Sequence, residues 1–297
     1  MIRRENSREN TWGIVRKIVT KSLIYAVLVL LSLVILIPFY VILITSFKSN
    51  MESSHVDFTW WPRMGFHLDG YKKVLFDATG ALAGANILRG FVNTLWMNVP
   101  MIVVGMFVSA VSAYAFAKMK FKCSNLLFSV LLGSMMVPSS ITMVPTYLMF
   151  DKLGWIDTPM PIMIPGMFGM ATTVFFLRQY FKGISNELIG AAKIDGLGHF
   201  RICLLIIIPM SSPALISQFL LNFIGRYNDY LTPLLYLQSD VFITLQLALR
   251  NSIGTYSQDW QTIMAGCVVS MVPLMVIYAF TQKLFIKGIS MSSGLKG

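Results

Sequence analysis

Six apolar stretches, each free of charged residues, alternate with polar segments along this chain of 297 residues. An α-helix rises about 1.5 Å per residue, so roughly 20 residues are needed to cross the hydrocarbon layer of a membrane. The stretches are 20 to 28 residues long. They therefore predict an all-α integral membrane protein with six transmembrane helices. With their flanking residues, the predicted spans cover about residues 22–47, 90–117, 123–150, 158–182, 202–237 and 260–283.

Proline positions predict that two of these helices are bent. Proline has no backbone N–H, so inside a helix it removes one hydrogen bond of the ladder. The third span contains Pro138 and Pro145 within the sequence MMVPSSITMVPTYLMF, whose hydroxyl side chains can pair with the freed carbonyl groups. The fifth span contains Pro209 and Pro213. We expect kinks at both places.

The remaining segments predict one terminal segment and one membrane domain. Residues 1–21 are polar and basic, and we expect them to lie on the inner face of the membrane. Residues 22–297 form a single transmembrane domain, with residues 183–201 as the loop between the fourth and fifth spans. The charge-free pieces 78–88 and 241–249 are too short to span a bilayer, so we expect them at the surface.

Lys and Arg are concentrated in the segments that share one side of the membrane with the amino terminus. These segments hold sixteen basic and four acidic residues, whereas the opposite segments hold seven basic and eight acidic ones. Loops rich in Lys and Arg stay in the cytoplasm, so we expect both termini there. The net charge of +11 is therefore interpreted as a topology signal. It predicts membrane lipid, and no nucleic acid, as a partner.

No pattern for catalysis or metal binding stands out in the sequence. The three cysteines, Cys123, Cys203 and Cys267, have no CxxC spacing and fall in or near predicted spans, where free cysteine is usually an apolar filler. No histidine lies in a predicted span, and GFHLDGYK lacks the Lys that must follow the second Gly of a phosphate loop. We therefore expect no catalytic residue, no metal site and no cofactor bound by this chain.

The stretch NELIGAAKIDGLGHFRICLLIIIP, between the fourth and fifth spans, predicts a short helix and a turn. Ser185 or Asn186 can cap the start, and Glu187 is favourable in the first turn. Asp195 and Gly196 are typical of a helix stop. The helix would be about ten residues and roughly 15 Å long. Alanine at its centre would let another protein approach closely, and an ordinary solvated loop is the alternative.

A second polar group occupies the outer end of the fifth span, in the sequence GRYNDYLTP. An arginine near mid-bilayer costs about 2.5–3.5 kcal/mol on insertion scales. On a helix, Arg226 and Asp229 share a face and can pair. The neighbouring Tyr and Asn side chains offer hydrogen-bonding groups and ring faces to a polar ligand, with helix packing as the alternative. The candidates for ligand contact or for packing are Asn93, Arg226, Tyr227, Asn228, Asp229 and Tyr230.

The loop stretch resembles the cytoplasmic loop of ATP-binding-cassette (ABC) importer permeases, whose pattern is E-A-A, three residues, G, nine residues, I-x-L-P. Here the pattern is met by residues 190–192, Gly196 and residues 206–209. The resemblance to the maltose-type (MalG-like) sugar permeases extends over nearly the whole chain. Gly190 stands where that pattern has its glutamate. The further matching motifs, in order, are TSFKSN, FVNTL, SAYAFAKMKF, FFLRQYF and GLKG, at residues 45–50, 91–95, 112–121, 175–181 and 294–297.

This resemblance implies a type I ABC importer permease fold with a cytoplasmic coupling helix. The small residues Ala191, Ala192 and Gly196 would let an ATPase approach closely, and Asp195 would end the helix. Because glycine costs about 1 kcal/mol relative to alanine inside a helix, Gly190 implies a looser helix than the family pattern. The residues that would couple to the ATPase are Glu187, Leu188, Gly190, Ala191, Ala192, Asp195 and Gly196.

The resemblance also implies a function and a set of partners. The chain would be a permease subunit in the bacterial plasma (inner) membrane that forms half of the pathway for a sugar or oligosaccharide. Its partners would be a second permease subunit (MalF-like), two ATPase subunits that carry ATP and Mg, and an extracellular or periplasmic sugar-binding protein. The alternative is an ATP-independent secondary transporter. Such a protein would want ionisable residues deep in several spans, and apart from Arg226 and Asp229 these are missing.

Overall fold

The computed structural model describes the backbone of residues 2–55, 57–76, 87–255 and 259–293, with side chains for residues 17–55, 57–76, 87–251 and 259–282. Within these ranges the chain is helical and has no strand, which confirms the predicted all-α class. The GLKG motif lies outside the described residues. The α-helices are α1 (Ile2–Ser46), α2 (Asn50–Ser53), α3 (Asp69–Phe76), α4 (Ile87–Lys118), α5 (Ser124–Met135), α6 (Ser139–Lys152), α7 (Met160–Met167), α8 (Ala171–Lys182), α9 (Asn186–Ile194), α10 (His199–Ile202), α11 (Ile208–Met210), α12 (Ser212–Tyr227), α13 (Leu231–Tyr236), α14 (Leu245–Thr255) and α15 (Trp260–Ser293).

Among the described residues, four helical segments are long and apolar enough to cross a membrane. The number rises to six if each of two bent helix pairs counts as one span. The first pair is α5 with α6, and the second is His199–Met210 with α12. The four unbent candidates are Lys17–Ser46, Ile87–Lys118, Met160–Lys182 and Trp260–Gln282.

Helix α1 passes through the predicted boundary at residue 21 without a break, from Ile2 to Ser46. The expected amino-terminal segment is therefore helical and continuous with the first span. The side chains of residues 1–16 lie outside the described residues. Of the apolar window within Lys17–Ser46, only 6% is buried by the rest of this chain.

The third predicted span is interrupted more sharply than a kink. Helices α5 and α6 meet at 95° across a break between Met135 and Ser139. Pro138 precedes α6 with extended backbone angles, φ −62° and ψ 132°, and it has no N–H to continue the ladder of α5. Pro145 lies inside α6 and does not end it.

The fourth predicted span contains an interruption that the sequence does not predict. Helix α7 ends at Met167 and α8 begins at Ala171, with Gly169 in the left-handed region at φ +101°. The N–H of Met170 donates to the Ser109 hydroxyl of α4 at 2.9 Å. A tertiary contact therefore satisfies a backbone group that the break leaves without a helical partner.

The fifth predicted span, residues 202–237, is not one continuous helix at its outer end. Helix α12 stops at Tyr227, and α13 is a separate helix of six residues. The expected bend is present: α12 meets the preceding helical segment at 79°. A five-residue π-helix, Cys203–Ile207, leads into that bend, and the N–H of Ser211 is shared between the carbonyls of Ile207 and Ile208 at 3.0 and 3.1 Å. Pro209 supplies no N–H here, so the regular ladder cannot continue.

The chain divides into two compact units, and the first comprises Met1–Lys73 with Gln258–Val268. Among its described residues, Lys48 of the TSFKSN motif is buried, with 2% of its surface exposed. The Lys48 ammonium donates to the Thr59 carbonyl at 2.5 Å and lies 4.2 Å from the centroid of the Phe58 ring. Burial raises the pKa of Glu52, but hydrogen bonds from the Arg63 N–H and the Thr59 hydroxyl outweigh it, so the pKa lies below its usual range. The Lys48 side chain of the motif thus holds the segment around Thr59 in place.

The second unit comprises Val74–Ser257 with Val269–Gly297 and is built around α4. Helix α4 packs against α7, α8, α12 and α14. It approaches α7 so closely that a Cβ added to Gly105 would collide with the Gly166 carbonyl oxygen. Small residues that let helices meet in this way are common in membrane proteins.

The piece 241–249, expected at the surface, is largely buried against α4. Ile243, Leu245 and Ala248 are each at most 1% exposed. The Asn93 amide donates to the carbonyls of Val241 and Ile243 at 2.9 and 2.8 Å. The polar side chain on α4 therefore fixes this segment.

A carboxylate joins the α6–α7 connection to the segment after α13. Asp157 accepts hydrogen bonds from the N–H groups of Ser239 at 2.8 Å and Gln238 at 2.9 Å. These two bonds lower the pKa of Asp157 below its usual range. The N–H of Asp157 donates to the Tyr236 carbonyl at 2.7 Å, so the connection is held in both directions.

Candidate functional site

The predicted short helix between the fourth and fifth spans is confirmed, with its capping residues. Helix α9 begins after Ser185, whose hydroxyl accepts the Glu187 N–H at 3.1 Å. It ends at Asp195, and Gly196 follows in the left-handed region at φ +82°. The N–H of Leu197 donates to the Ala192 carbonyl at 3.0 Å, which closes a glycine-dependent C-cap. Local sequence signals thus define this helix.

One face of α9 is buried against its own chain. Ile189 and Ala192 are three positions apart and are 6% and 4% exposed. They belong to an apolar cluster that includes Ala113 of α4, Leu177 of α8 and Ile202 of α10. The Ala192 side chain therefore fills space inside the permease domain, and its contact with an ATPase stays a prediction. Leu188 is half-buried.

The opposite face of α9 is exposed and carries small and charged side chains together with the apolar Ile194. Glu187, Gly190, Ala191 and Asp195 are all exposed, and Ile194 is 89% exposed. Nothing lies within 4 Å of the position that a Cβ on Gly190 would take. The helix continues through Gly190 without a break. This face is open to a partner at close range.

Two side chains of α4, whose contacts the sequence did not predict, hold α9 and α10 to the end of that helix. The Lys118 ammonium donates to the Ile184 carbonyl at 2.6 Å and to the Asn186 amide oxygen at 2.9 Å. The Tyr114 hydroxyl and His199 Nδ1 are 2.9 Å apart. Both α4 residues lie in the motif SAYAFAKMKF, so the motif was a signal, but their partners are 66 and 85 positions away.

A third contact joins α8 to the end of α4 and to α5. Arg178, in the motif FFLRQYF, donates from Nε to the Phe116 carbonyl at 3.3 Å. Its guanidinium carbon lies 3.7 Å from the centroid of the Phe128 ring. A cation over an aromatic face is attracted by the ring quadrupole. The arginine therefore packs within the helix bundle.

The outer polar group lies where α12 ends, so its members do not share one helix. Arg226 is in the last turn of α12, whereas Asp229 follows the end of the helix. The pair still forms, with Arg226 Nη1 3.8 Å from Asp229 Oδ2. Tyr227 is 1% exposed and its hydroxyl donates to the Ser270 carbonyl at 2.9 Å. Asn228 is exposed and donates to the Ile224 carbonyl at 3.0 Å. The next residue, Tyr230, is half-buried.

Among the described residues, no group of three or more His, Cys, Asp or Glu side chains could hold a metal ion. Cys203 is 1% exposed and lies in the apolar cluster beneath α9, so its environment is that of an apolar filler. Apart from Asn93 on α4, the candidate site residues thus lie in two places, on α9 with its C-cap and at the end of α12.

Comparison with known proteins assigns this arrangement to a family. The sequence profile of the family "Binding-protein-dependent transport system inner membrane component" matches residues 80–291. The chain belongs to this family. It is 31% identical over 271 residues to the arabinooligosaccharides transport system permease protein AraQ of Bacillus subtilis, covering 90% of this chain and 93% of that protein. It is 30% identical to the probable starch degradation products transport system permease protein AmyC of Thermoanaerobacterium thermosulfurigenes, covering 91% and 96%.

A solved structure shares the fold of this permease. It is a chain in the crystal structure of a bacterial ABC transporter involved in the import of the acidic polysaccharide alginate. The TM-score is 0.77 at 24% sequence identity, and the match covers 89% of this chain and 96% of that chain. The permease fold of an ABC importer, expected from the resemblance, is therefore confirmed.

Family membership makes this chain an inner-membrane permease subunit of a binding-protein-dependent importer. Such importers work with a second permease, an ATPase and a substrate-binding protein. ATP hydrolysis is carried by the separate ATPase subunits. This outcome supports the importer over the secondary transporter, which was the alternative from sequence.

Proposed function

We propose that this permease forms half of the translocation pathway of an ATP-driven importer for a sugar or oligosaccharide, and that α9 is its coupling helix. In this proposal the chain has six spans, with each bent pair as one span, and both termini lie in the cytoplasm. Its partners are a MalF-like second permease, two ATPase subunits and an extracellular sugar-binding protein. ATP and Mg are bound by the ATPase subunits and no cofactor by this chain.

The sugar substrate is supported by the names of several relatives. Besides the arabinooligosaccharide and starch-product permeases, the chain is 28% identical to the diacetylchitobiose uptake system permease protein NgcG of Streptomyces coelicolor, covering 87% of this chain and 84% of that protein. The carbohydrates in these names differ in ring type and linkage. They support the class of substrate, and a transport assay is needed to select the sugar.

The observation that carries the coupling role is the two-faced character of α9. Its buried face, through Ile189 and Ala192, is part of the same cluster as α4 and α8. Its exposed face, around Gly190 and Ala191, has no large side chain at its centre, so an ATPase surface can approach the helix backbone. Binding on one face would therefore move the helices packed on the other. ATP can act only through its different affinity for the two resulting arrangements.

The coupling role is tested by adding bulk to the exposed face. Ala191→Trp should reduce co-purification of the ATPase or abolish ATP-driven uptake, because the new ring occupies the approach to the helix. Ala191→Ser is the matched control, since it keeps a small side chain at the same place. Thermal unfolding of the isolated permease should be nearly unchanged in both, because Ala191 is exposed. Full uptake by Ala191→Trp would contradict the proposal.

The orientation is tested by labelling single cysteines in intact cells with a membrane-impermeant maleimide. The three native cysteines are first replaced by serine or alanine. Ala191→Cys should react only in inside-out vesicles, whereas Asp240→Cys, an exposed residue of a predicted outer segment, should react from outside. Labelling of position 191 from outside intact cells would place α9 on the wrong side and end the coupling hypothesis.

The substrate class is tested with the reconstituted complex in proteoliposomes. Labelled arabinotriose, maltotriose and diacetylchitobiose are offered with the binding protein, with and without internal ATP. ATP-dependent uptake of at least one sugar is expected. Uptake that is equal without ATP would support the secondary transporter instead.

A further inference from the structure

A cavity of about 610 Å³ lies between α6, α7 and the junction of α12 with α13. Its volume falls within the range of small-molecule sites, which are mostly apolar with a few polar groups. Phe150 and Tyr236 form one apolar wall, with ring centroids 5.3 Å apart in an edge-to-face arrangement. The polar side chains that line it are Ser139, Ser140, Thr142, Thr146, Arg226 and Thr232.

Both ends of this polar lining coincide with breaks in the helices. Ser139 and Ser140 open α6 directly after the 95° bend. Arg226 precedes, and Thr232 follows, the break between α12 and α13. Interrupted backbone at membrane depth is tolerated only where it is covered by protein or lines a water-filled cavity. Broken helices that meet at one cavity are a feature of transport sites.

The hydroxyl groups of the lining are available to a ligand. Within the described part of the chain, the Ser139, Ser140, Thr146 and Thr232 hydroxyls make no hydrogen bond. Thr142 uses its hydroxyl proton on the Ser139 carbonyl at 3.1 Å, which leaves its oxygen free to accept. A lipid chain could pair with none of them. Water or a hydroxylated solute could pair with all of them.

The charge balance beside the lining favours a neutral solute. Arg226 is the charged side chain that lines the cavity, and Asp229, outside the lining, has its Oδ2 3.8 Å from Arg226 Nη1, which offsets the charge without a direct hydrogen bond. The arginine N–H groups therefore remain available, while Asp229 accepts the Thr232 N–H at 3.1 Å. Because Asp229 offsets the charge of Arg226, a carboxylate guest would meet little net positive charge. Neutral hydroxyl groups can accept from Arg226, which lines the cavity.

We propose that this cavity is a contact site for one ring of a neutral sugar on the translocation pathway, with Arg226 as its main hydrogen-bond donor. The inference rests on the proposed function, since it assumes that the importer carries a sugar. It goes further in assigning sugar contact to this subunit itself. The apolar faces of the sugar ring would lie against Phe150 and Tyr236, and its hydroxyls would face the start of α6.

The first test asks whether the cavity is filled with water. This test requires no transported sugar. In the complete complex with native cysteines replaced, Thr146→Cys should react with a water-soluble thiol reagent. Leu148→Cys is the control, because Leu148 is 55% exposed on another face of α6, which we expect to contact lipid or a partner. If Thr146→Cys reacts no faster than Leu148→Cys, the proposal is overturned. If these variants do not assemble, Ser140→Cys with Ile141→Cys as its control gives the same comparison.

The second test uses arabinotriose or maltotriose, whichever the wild-type complex takes up. Thr146→Trp fills the cavity and should lower the uptake rate at saturating sugar at least tenfold, with ATPase activity within about twofold of wild type. Thr146→Val keeps the volume and should retain most uptake. The double variant Arg226→Met/Asp229→Asn removes the donor without leaving a lone charge, and roughly tenfold slower uptake is expected from the loss of one charged hydrogen bond.

The outcomes separate this inference from the proposed function. Wild-type uptake of neither sugar would contradict the proposed function, and the thiol test would still decide whether the cavity is aqueous. If Thr146→Trp and the double variant both take up the sugar at the wild-type rate, the inference about the cavity is overturned and the proposed function is not. Uptake of a uronic acid oligomer in preference to both neutral sugars would overturn the assignment to a neutral ring.

Discussion

Replacing Lys118 by methionine should release α9 from the end of α4 without unfolding the permease. The ammonium group of Lys118 donates to the Ile184 carbonyl at 2.6 Å and to the Asn186 amide oxygen at 2.9 Å. Methionine keeps much of the apolar stem and removes both donors. A hydrogen bond to a charged group contributes about 1.5–3 kcal/mol. Because the bond to Asn186 is exposed, we count only the bond to Ile184 and expect a loss of about 2 kcal/mol.

Hydrogen–deuterium exchange in the intact complex measures this loss directly. Two kilocalories per mole correspond to a roughly 30-fold larger open population, so amides of α9 should exchange roughly 30-fold faster. Exchange in α8 should be unchanged. Lys120→Met is the control, because Lys120 is exposed and makes no hydrogen bond with another described residue. Equal exchange in Lys118→Met and Lys120→Met would show that the contact does not hold α9, and the reasoning would fail.

Three further changes test the packing of the permease. Gly190→Ala should stabilise α9 by about 1 kcal/mol and slow exchange there, since alanine is the better helix former and its Cβ meets nothing within 4 Å; unchanged exchange would contradict this. Gly105→Ala should destabilise the fold by about 1–3 kcal/mol, because the added Cβ collides with the Gly166 carbonyl, and detergent thermal unfolding should show it against Gly133→Ala, which meets nothing. Asp157→Asn should lower the unfolding temperature at pH 7 and flatten its acid dependence. The pKa of Asp157 is lowered in the fold, so its contribution is present above the unfolded value of about 3.9 and is lost as the pH falls through the folded value; a wild-type acid profile in the variant would refute it.

Helix limits that depend on local signals could be predicted from the sequence. Ser185, Asp195 and Gly196 determine where α9 begins and ends, and the structure has the helix at Asn186–Ile194. The second span, expected at residues 90–117, is found at Ile87–Lys118 for the same reason: a long apolar run bounded by charges. In both cases the signal and the structure lie within a few residues of each other.

Features that depend on distant residues could not be predicted. The break between α7 and α8 relies on the Ser109 hydroxyl, which is 61 positions from Met170. The sequence of α9 shows two alanines in a row, and only the packing of α9 on its own chain decides that Ala192 is buried and Ala191 exposed. The end of α12 at Tyr227 is not marked by proline or glycine at that position, and the predicted fifth span runs past it because it includes flanking residues, among them Arg226 and Asp229.

Helix α4 is the element through which a displacement of α9 would reach the rest of the permease. Near one end, Lys118 binds the start of α9. In the middle, Gly105 meets α7, and near the other end Asn93 holds the segment before α14. Packed interfaces of this kind shift between discrete arrangements and do not deform continuously. If an ATPase moves α9, the cavity beside α6 and α7 is therefore two contacts away along one helix: α9 to α4, and α4 to α7.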